Sequence, residues 1–275
     1  MNIEELREKS IELRKNIIQM VFNAESGHFG GSLSSIDLIN YIYEEYILKS
    51  NDVFILSKGH SAPALYAKLA QSKIISKELL TTFRSNGSTL TGHPSSTIPG
   101  ISFGLGSLGQ GASIGVGVAL ALKLKNIDRK VFVLLGDGEL NEGQVWEAMY
   151  SSKSLNLSNL VFVVDQNCMQ LDGFCDKVSK FDNLKCKFKS FLGVDPIEID
   201  GNDYDEIQYA FSRLKCNTPQ VVLAKTIKGK GVHFMENNPD FHSYRVNKEE
   251  KIYLFEEANK CLNKMEGNKR ENYSN

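Results

Sequence analysis

Apolar positions at the start of the chain recur with helical spacing. In IEELREKSIELRKNIIQMVFNA (3–24), Ile3, Leu6, Ile11, Leu13, Ile17, Ile18 and Val21 predict one helix, and the pattern stops near Ser26-Gly27. SSIDLINYIYEEYI (34–47) opens on serines and an aspartate, residues that cap helix amides, and predicts a second. Short apolar runs then alternate with amphipathic stretches. DVFILS (52–57), KVFVLL (130–135), LVFVVD (160–165), PIEID (196–200) and PQVVLAKT (219–226) predict strands. Helices are expected near 62–72, 76–83, 112–125, 143–156 and 203–215. Strands alternating with helices imply a parallel sheet covered on both faces. The expected fold is α/β, doubly wound and mostly parallel, with one domain over 1–260 and a polar, disordered tail at 261–275.

One stretch breaks this alternation. Residues 85–111 hold seven glycines and two prolines and none of the charge of a solvated linker. A loop of that length in a compact domain is usually functional or disordered, and the missing charge favours function. The helix expected after it is rich in small residues suited to close packing. Its Gly115-x-Gly117 lies inside the helix, not in a strand-to-helix turn, so packing is favoured over dinucleotide binding.

Composition narrows the class. With 275 residues, 41% of them hydrophobic, the chain supports a sizeable core. A formal net charge of −1 gives no basic field for nucleic acid. The N-terminus is charged and lacks the apolar segment of a secretory signal, and IGVGVALAL (114–122) is too short to span a bilayer. The five cysteines (Cys168, Cys175, Cys186, Cys216 and Cys261) are odd in number and lack C-x-x-C spacing. They read as reduced thiols of a cytoplasmic protein, not as a disulfide framework or zinc site.

Candidate chemistry begins at GDGELNEG (136–143), where an apolar strand ends directly on Asp137. That aspartate could cap the next helix or hold a metal. In a doubly wound sheet, ligands bind at the carboxyl ends of strands. Asn167 follows the end of the next expected strand, and a right-handed crossover would place the two strands side by side. Capping accounts for one aspartate but not for the matching asparagine. Asp137, Asn167 and a backbone carbonyl from CMQLDG would give three hard oxygens, leaving room for phosphate oxygens and water around Mg²⁺ or Ca²⁺. Gly136 and Gly138 would let a diphosphate approach the backbone, and the helix starting near Gly143 would favour an anion.

GDG followed by about thirty residues and an Asn resembles the thiamine-diphosphate binding pattern. The motifs around it, in order, are SGHFGGSLSSIDL (26–38), ILSKGHSAPALYA (55–67), TGHP (91–94), GSLGQGASIGVGVALA (106–121), GDGELNEGQVWEA (136–148), DQNCMQLDG (165–173) and KTIKGKGVHFMENNPDFHS (225–243). Together they resemble the N-terminal part of transketolase over about residues 5–245. The resemblance implies Asp137, Asn167 and the Met169 carbonyl as metal ligands. It implies Gly106, Ser107, Leu108, Gly136, Gly138, Glu139 and Asn167, with His60 and His242, as cofactor contacts, and Glu142 as a subunit contact.

Four of the five histidines, His28, His60, His93 and His242, match catalytic histidines of that family; His233 matches none. Ketol transfer moves protons on and off hydroxyl oxygens, which suits imidazoles. The resemblance implies that His93 bonds the donor's terminal hydroxyl and that His60 touches the cofactor phosphate and donor. It also implies that His28 and His242 serve the carbonyl and hydroxyl where the carbon bond breaks and re-forms. Phe241 and Ser243 depart from the family's frequent tryptophan and glycine, which bears on acceptor preference. Lys228-Gly229-Lys230-Gly231 lacks P-loop spacing and reads as a mobile loop near the substrate channel.

Whole transketolases are much longer. The pyrimidine-binding part, which holds the glutamate acting on the aminopyrimidine, has no counterpart here. The expectation is the N-terminal subunit of a split enzyme that transfers a two-carbon ketol unit from a ketose or its phosphate to an aldose. It would need a separate C-terminal subunit, in a heterotetramer. Rival readings are the alpha subunit of a 2-oxo-acid or acetoin dehydrogenase, a 1-deoxyxylulose-phosphate synthase, a pathway-specific enzyme for a modified sugar, and a non-catalytic homologue. The histidine set weighs against the first and the last.

Overall fold

The computed structural model describes residues 2–170, 173–179, 183–215, 217–245, 247 and 249–271, with side chains to 267. Cys216 and the last four residues of the expected tail lie outside them. The longer α-helices among the described residues are α1 (Ile3–Asn23), α2 (Gly30–Ile42), α3 (Ala62–Gln71), α4 (Gln110–Leu124), α5 (Gly143–Ser154), α6 (Leu184–Leu192), α7 (Tyr204–Ser212) and α8 (Lys251–Glu271). The strands are β1 (Ser26–Gly27), β2 (Val53–Leu56), β3 (Val131–Gly136), β4 (Leu160–Gln166), β5 (Met169–Gln170), β6 (Gly173–Phe174), β7 (Ile197–Asp200), β8 (Gln220–Lys225) and β9 (Tyr244–Arg245). Lys77–Thr82, expected as a helix, is a 3₁₀ segment.

The described residues group into two compact units. The first comprises 1–40, 60–104 and 227–275; the second comprises 41–59 and 105–226. Neither is a continuous stretch, so no linker composition marks the division.

In the first unit α1 packs against α3 and α8. A buried ion pair ties α1 to α2: Arg14 Nη1 donates to Asp37 Oδ1 at 2.9 Å and Nη2 to Oδ2 at 2.7 Å. The polar segment from Cys261, expected to be disordered, is helical to Glu271. Ala258 and Leu262 on α8 are fully buried, and Lys15 pairs with Glu266 at 2.8 Å. A narrow apolar stripe thus anchors a helix that polar composition disguised. Helix α2 begins at Gly30, four residues before the expected start. A side chain at Gly30 would meet Lys228, and one at Gly31 would meet His60.

The second unit holds a five-stranded sheet in the order β2-β3-β4-β8-β7, parallel throughout. Its central strands are buried on both faces, which accounts for their unbroken apolar runs. Strands β3 and β4 are neighbours, with Gly136 opposite Asp165. The expected adjacency of the two strand ends that carry Asp137 and Asn167 is therefore present. Helix α4 packs on the sheet, with Gly115 against Val133. Helix α6 was not anticipated. Its Leu184, Phe188 and Leu192 are buried, and Phe188 stacks on Trp146 of α5 with centroids 5.4 Å apart.

Candidate functional site

In the second unit, β3 and β4 deliver a buried group of polar side chains to one sheet edge. Asp137 and Asn167 are 5% and 6% exposed, and Met169 is buried beside them in sequence. Asp137 Oδ2 accepts from Cys168 N at 2.5 Å and Oδ1 from Gly138 N at 2.8 Å. Asn167 Oδ1 accepts from Met169 N at 3.2 Å, and its Nδ2 donates to Asp165 Oδ2 at 3.3 Å. Asp165 is wholly buried, pairs with buried Lys58 and accepts from Thr226 Oγ1. Burial first, and the neighbouring Asp165 second, push the Asp137 carboxyl up to about 6, against the pull of two backbone N–H groups and Lys58.

These features fit a divalent cation carrying a diphosphate. The donors are hard oxygens, and Asp137 is a buried carboxylate whose charge is under-compensated by its surroundings. Among the described residues no three His, Cys, Asp or Glu side chains gather as a metal site. A cation here would therefore rely on the carboxamide and a backbone carbonyl beside the single carboxylate. Two buried polar atoms in the same stretch, Gln166 Oε1 and Gln170 Nε2, have no hydrogen-bond partner. Buried atoms without a partner in the chain are open to bonds from water or a ligand.

Glu139 has a different position from a simple cofactor contact. It is 2% exposed, and both oxygens are engaged within the protein. Oε1 accepts from Ser57 Oγ and, at 2.7 Å, from Gly109 N; Oε2 accepts from Gly136 N at 3.0 Å. It thereby ties the loop of Gly106, Ser107 and Leu108 to the end of β3. In that loop Gly106 and Ser107 are exposed and Leu108 is half-buried. Glu142 is exposed, with its stem packed where Gly109 lacks a side chain.

In the first unit four separate segments bring four imidazoles together. Ring centroids of His28 lie 5.5 Å from His60, 6.3 Å from His93 and 5.6 Å from His242, and His60 lies 5.3 Å from His242. His233 stands apart from them, in contact with Phe234 and Cys261. Burial, then Arg84, His93 and Lys228, lower the His28 pKa to about 4. Burial and Arg84 also lower that of His93. His28 Nδ1 is buried without a partner. Lys228, 1% exposed, has its Nζ 2.8 Å from His242 Nδ1. A lysine ammonium has only donors, so His242 Nδ1 accepts and its ring proton sits on Nε2. Phe241, the departure from tryptophan, keeps an aromatic ring stacked on Tyr244 at 4.7 Å.

Sequence reasoning missed Lys58, Asp165, Arg84 and Lys228. Three of them lie inside quoted motifs (SKGH, DQN and KTIKGKG), but a lysine or aspartate read alone suggests a solvated surface. Arg84 sits at φ +57, with its guanidinium in the space left by Gly92.

Comparison with known proteins follows the same lines. Residues 7–258 match the family described as transketolase, thiamine diphosphate binding domain. The chain is 34% identical over 252 residues to an apulose-4-phosphate transketolase subunit of Phocaeicola vulgatus, covering 88% of this chain and 89% of that protein. It is also 34% identical over 256 residues to the 6-deoxy-6-sulfo-D-fructose transketolase subunit SqwG of a Clostridium species, covering 89% and 93%. Transketolase from Campylobacter jejuni superposes with a TM-score of 0.87 at 29% identity, over 96% of this chain but 43% of that one. The chain thus spans less than half the length of that solved enzyme and nearly all of the two subunits. A motif series covering most of the chain, a matching fold and two near-full-length relatives converge on one conclusion: the chain belongs to the transketolase family, as its thiamine diphosphate binding, N-terminal part.

Proposed function

We propose that the chain is the N-terminal subunit of a split transketolase, which moves a two-carbon ketol unit from a ketose or ketose phosphate to an aldose. The observation that carries this reading is the contrast in coverage. The chain aligns with about nine-tenths of two proteins named as subunits, and with 43% of a complete transketolase. The missing pyrimidine-binding part would come from a separate C-terminal subunit, assembled as a heterotetramer with Glu142 at the contact. Both subunit relatives are named for modified sugars, which supports a specialised donor over a central-metabolic one.

Asp137, Asn167 and the Met169 carbonyl would hold Mg²⁺ or Ca²⁺, and the Gly106–Leu108 loop, Gly136 and Gly138 would receive thiamine diphosphate. When bound, that cofactor supplies a carbon nucleophile and an electron sink. Glu139 keeps the receiving loop in place through Gly109 N. The histidines orient sugar hydroxyls and move their protons. His242, fixed by Lys228, presents Nε2–H as a donor, while His28, kept neutral, accepts or donates at its unpartnered Nδ1. His93 would meet an incoming sugar hydroxyl, a role its exposure supports. Among the described residues Cys168, Cys175, Cys186 and Cys261 form no disulfide, which supports action in the reducing cytoplasm. No helix among the described residues is long and apolar enough to cross a membrane.

The reading is tested by combining the chain with the product of an adjacent transketolase C-terminal reading frame. Isothermal titration should then detect metal-dependent thiamine diphosphate binding. Asp137→Ala should abolish that binding; unchanged affinity would remove Asp137 from the ligand set.

A further inference from the structure

A cavity of about 400 Å³ opens in the first unit between the loop over 227–238 and helix α8. Its walls include Lys230, His233, Cys261 and Lys264, and none of its residues belongs to the clamp or the histidine cluster. The loop reaches α8 at Gly231, which has φ +96; a side chain there would meet Met265 Sδ at 3.1 Å. His233 Nδ1 and Cys261 Sγ lie 3.0 Å apart, and Cys261 is half-buried. Both carboxylates in the wall have partners, and Glu257 also lies close enough to His233 and Lys264 for their charges to act on it. Glu236 accepts from Gly231 N at 2.9 Å, and Glu257 pairs with Lys260 at 2.6 Å. Lys230 and Lys264 form no ion pair among the described residues.

A thiol beside an imidazole, in a recess flanked by lysines that form no ion pair within 4 Å among the described residues, has the parts of a nucleophile selective for anions. The volume suits a small ligand. We propose that this cavity is a site of S-thiolation by small acidic disulfides. Cys261 Sγ attacks one ligand sulfur; the ligand's S–S bond breaks as the new S–S bond forms. His233 Nδ1 takes the thiol proton and returns it to the departing thiolate. The departing half leaves as a thiolate with the electron pair of the broken S–S bond, so the Cys261 sulfur rises by one oxidation unit as the departing sulfur falls by one. Lys230 and Lys264 receive the ligand's carboxylates. The proposal does not depend on the ketol-transfer reading.

The test uses the full chain and its own cysteines as references. Exposure alone would make Cys168 and Cys186 react before half-buried Cys261. On exposure to oxidised glutathione near neutral pH, peptide mass spectrometry should find the first adduct on Cys261. Cystamine, a cationic disulfide, should modify it about tenfold more slowly. His233→Gln should slow the reaction at Cys261 by about tenfold and leave Cys168 and Cys186 unchanged. Lys230→Gln with Lys264→Gln should erase the preference for the acidic disulfide, with the circular dichroism spectrum unaltered. First modification at Cys168 or Cys186, or equal rates for both disulfides at Cys261, would overturn the proposal.

Discussion

At the residue scale, two imidazoles of the histidine cluster, His28 and His93, are held away from protonation. Burial and the cations Arg84 and Lys228 oppose a proton on His28, whose pKa falls to about 4 from an ordinary 6.5. The folded state therefore refuses a proton that the unfolded chain takes up. The stability tied to this group is present above pH 6.5 and is lost as pH falls toward 4. The loss amounts to about 2 kcal/mol by pH 5. His28→Gln should flatten this acid limb, so in urea melts the stability of the parent relative to the variant should fall by about that amount between pH 7.5 and pH 5. A constant difference would mean that His28 titrates normally. In the assembled enzyme, His93→Ala should lower turnover by about 10²–10⁴-fold, and near-native turnover would remove it from catalysis. The four histidines were legible because each stands in a recognisable short motif. Their electrostatic keepers were not: nothing local distinguishes a buried Lys58 or Lys228 from a surface lysine until its partner is placed.

At the element scale, the two glycines of α4 separate packing from propensity. A side chain at Gly115 would sit 2.4 Å from Val133 Cγ2, whereas one at Gly117 would meet nothing within 4 Å. Gly115→Ala should destabilise by about 1–3 kcal/mol through overpacking. Gly117→Ala should stabilise by up to about 1 kcal/mol through helix propensity. Chemical denaturation of both variants checks the pair, and equal effects would contradict the packing of α4 on β3. Glu139→Ala strips the acceptors from Gly109 N and Gly136 N, at a cost of about 1–3 kcal/mol for each N–H left buried. Thermal melts of that variant should show the loss. The five strands of the main sheet were legible from apolar runs, because a strand buried on both faces admits little else. The paired two-residue strands β1 and β9 were not, since two residues carry no periodicity. The start of α2 was misplaced because glycines that normally break a helix are here required by Lys228 and His60 packed against them.

At the scale of the whole molecule, fold class and family were readable in the order of motifs, while the division into two units was not. The chain enters each unit more than once, and only contacts between distant segments define them. The helical run over 261–271 was hidden for a related reason: within it one buried side chain, Leu262, continues the apolar stripe begun at Ala258, and polar composition masks it. The central claim concerns incompleteness, since the chain matches subunits nearly end to end and a complete transketolase over 43% of its length. Ketol transfer measured with ketose phosphate donors, thiamine diphosphate and Mg²⁺, with and without the C-terminal subunit, tests it most directly. No turnover is expected from the chain alone, with turnover appearing on addition of the second subunit and lost again in Asp137→Ala; turnover by the chain alone would contradict the claim.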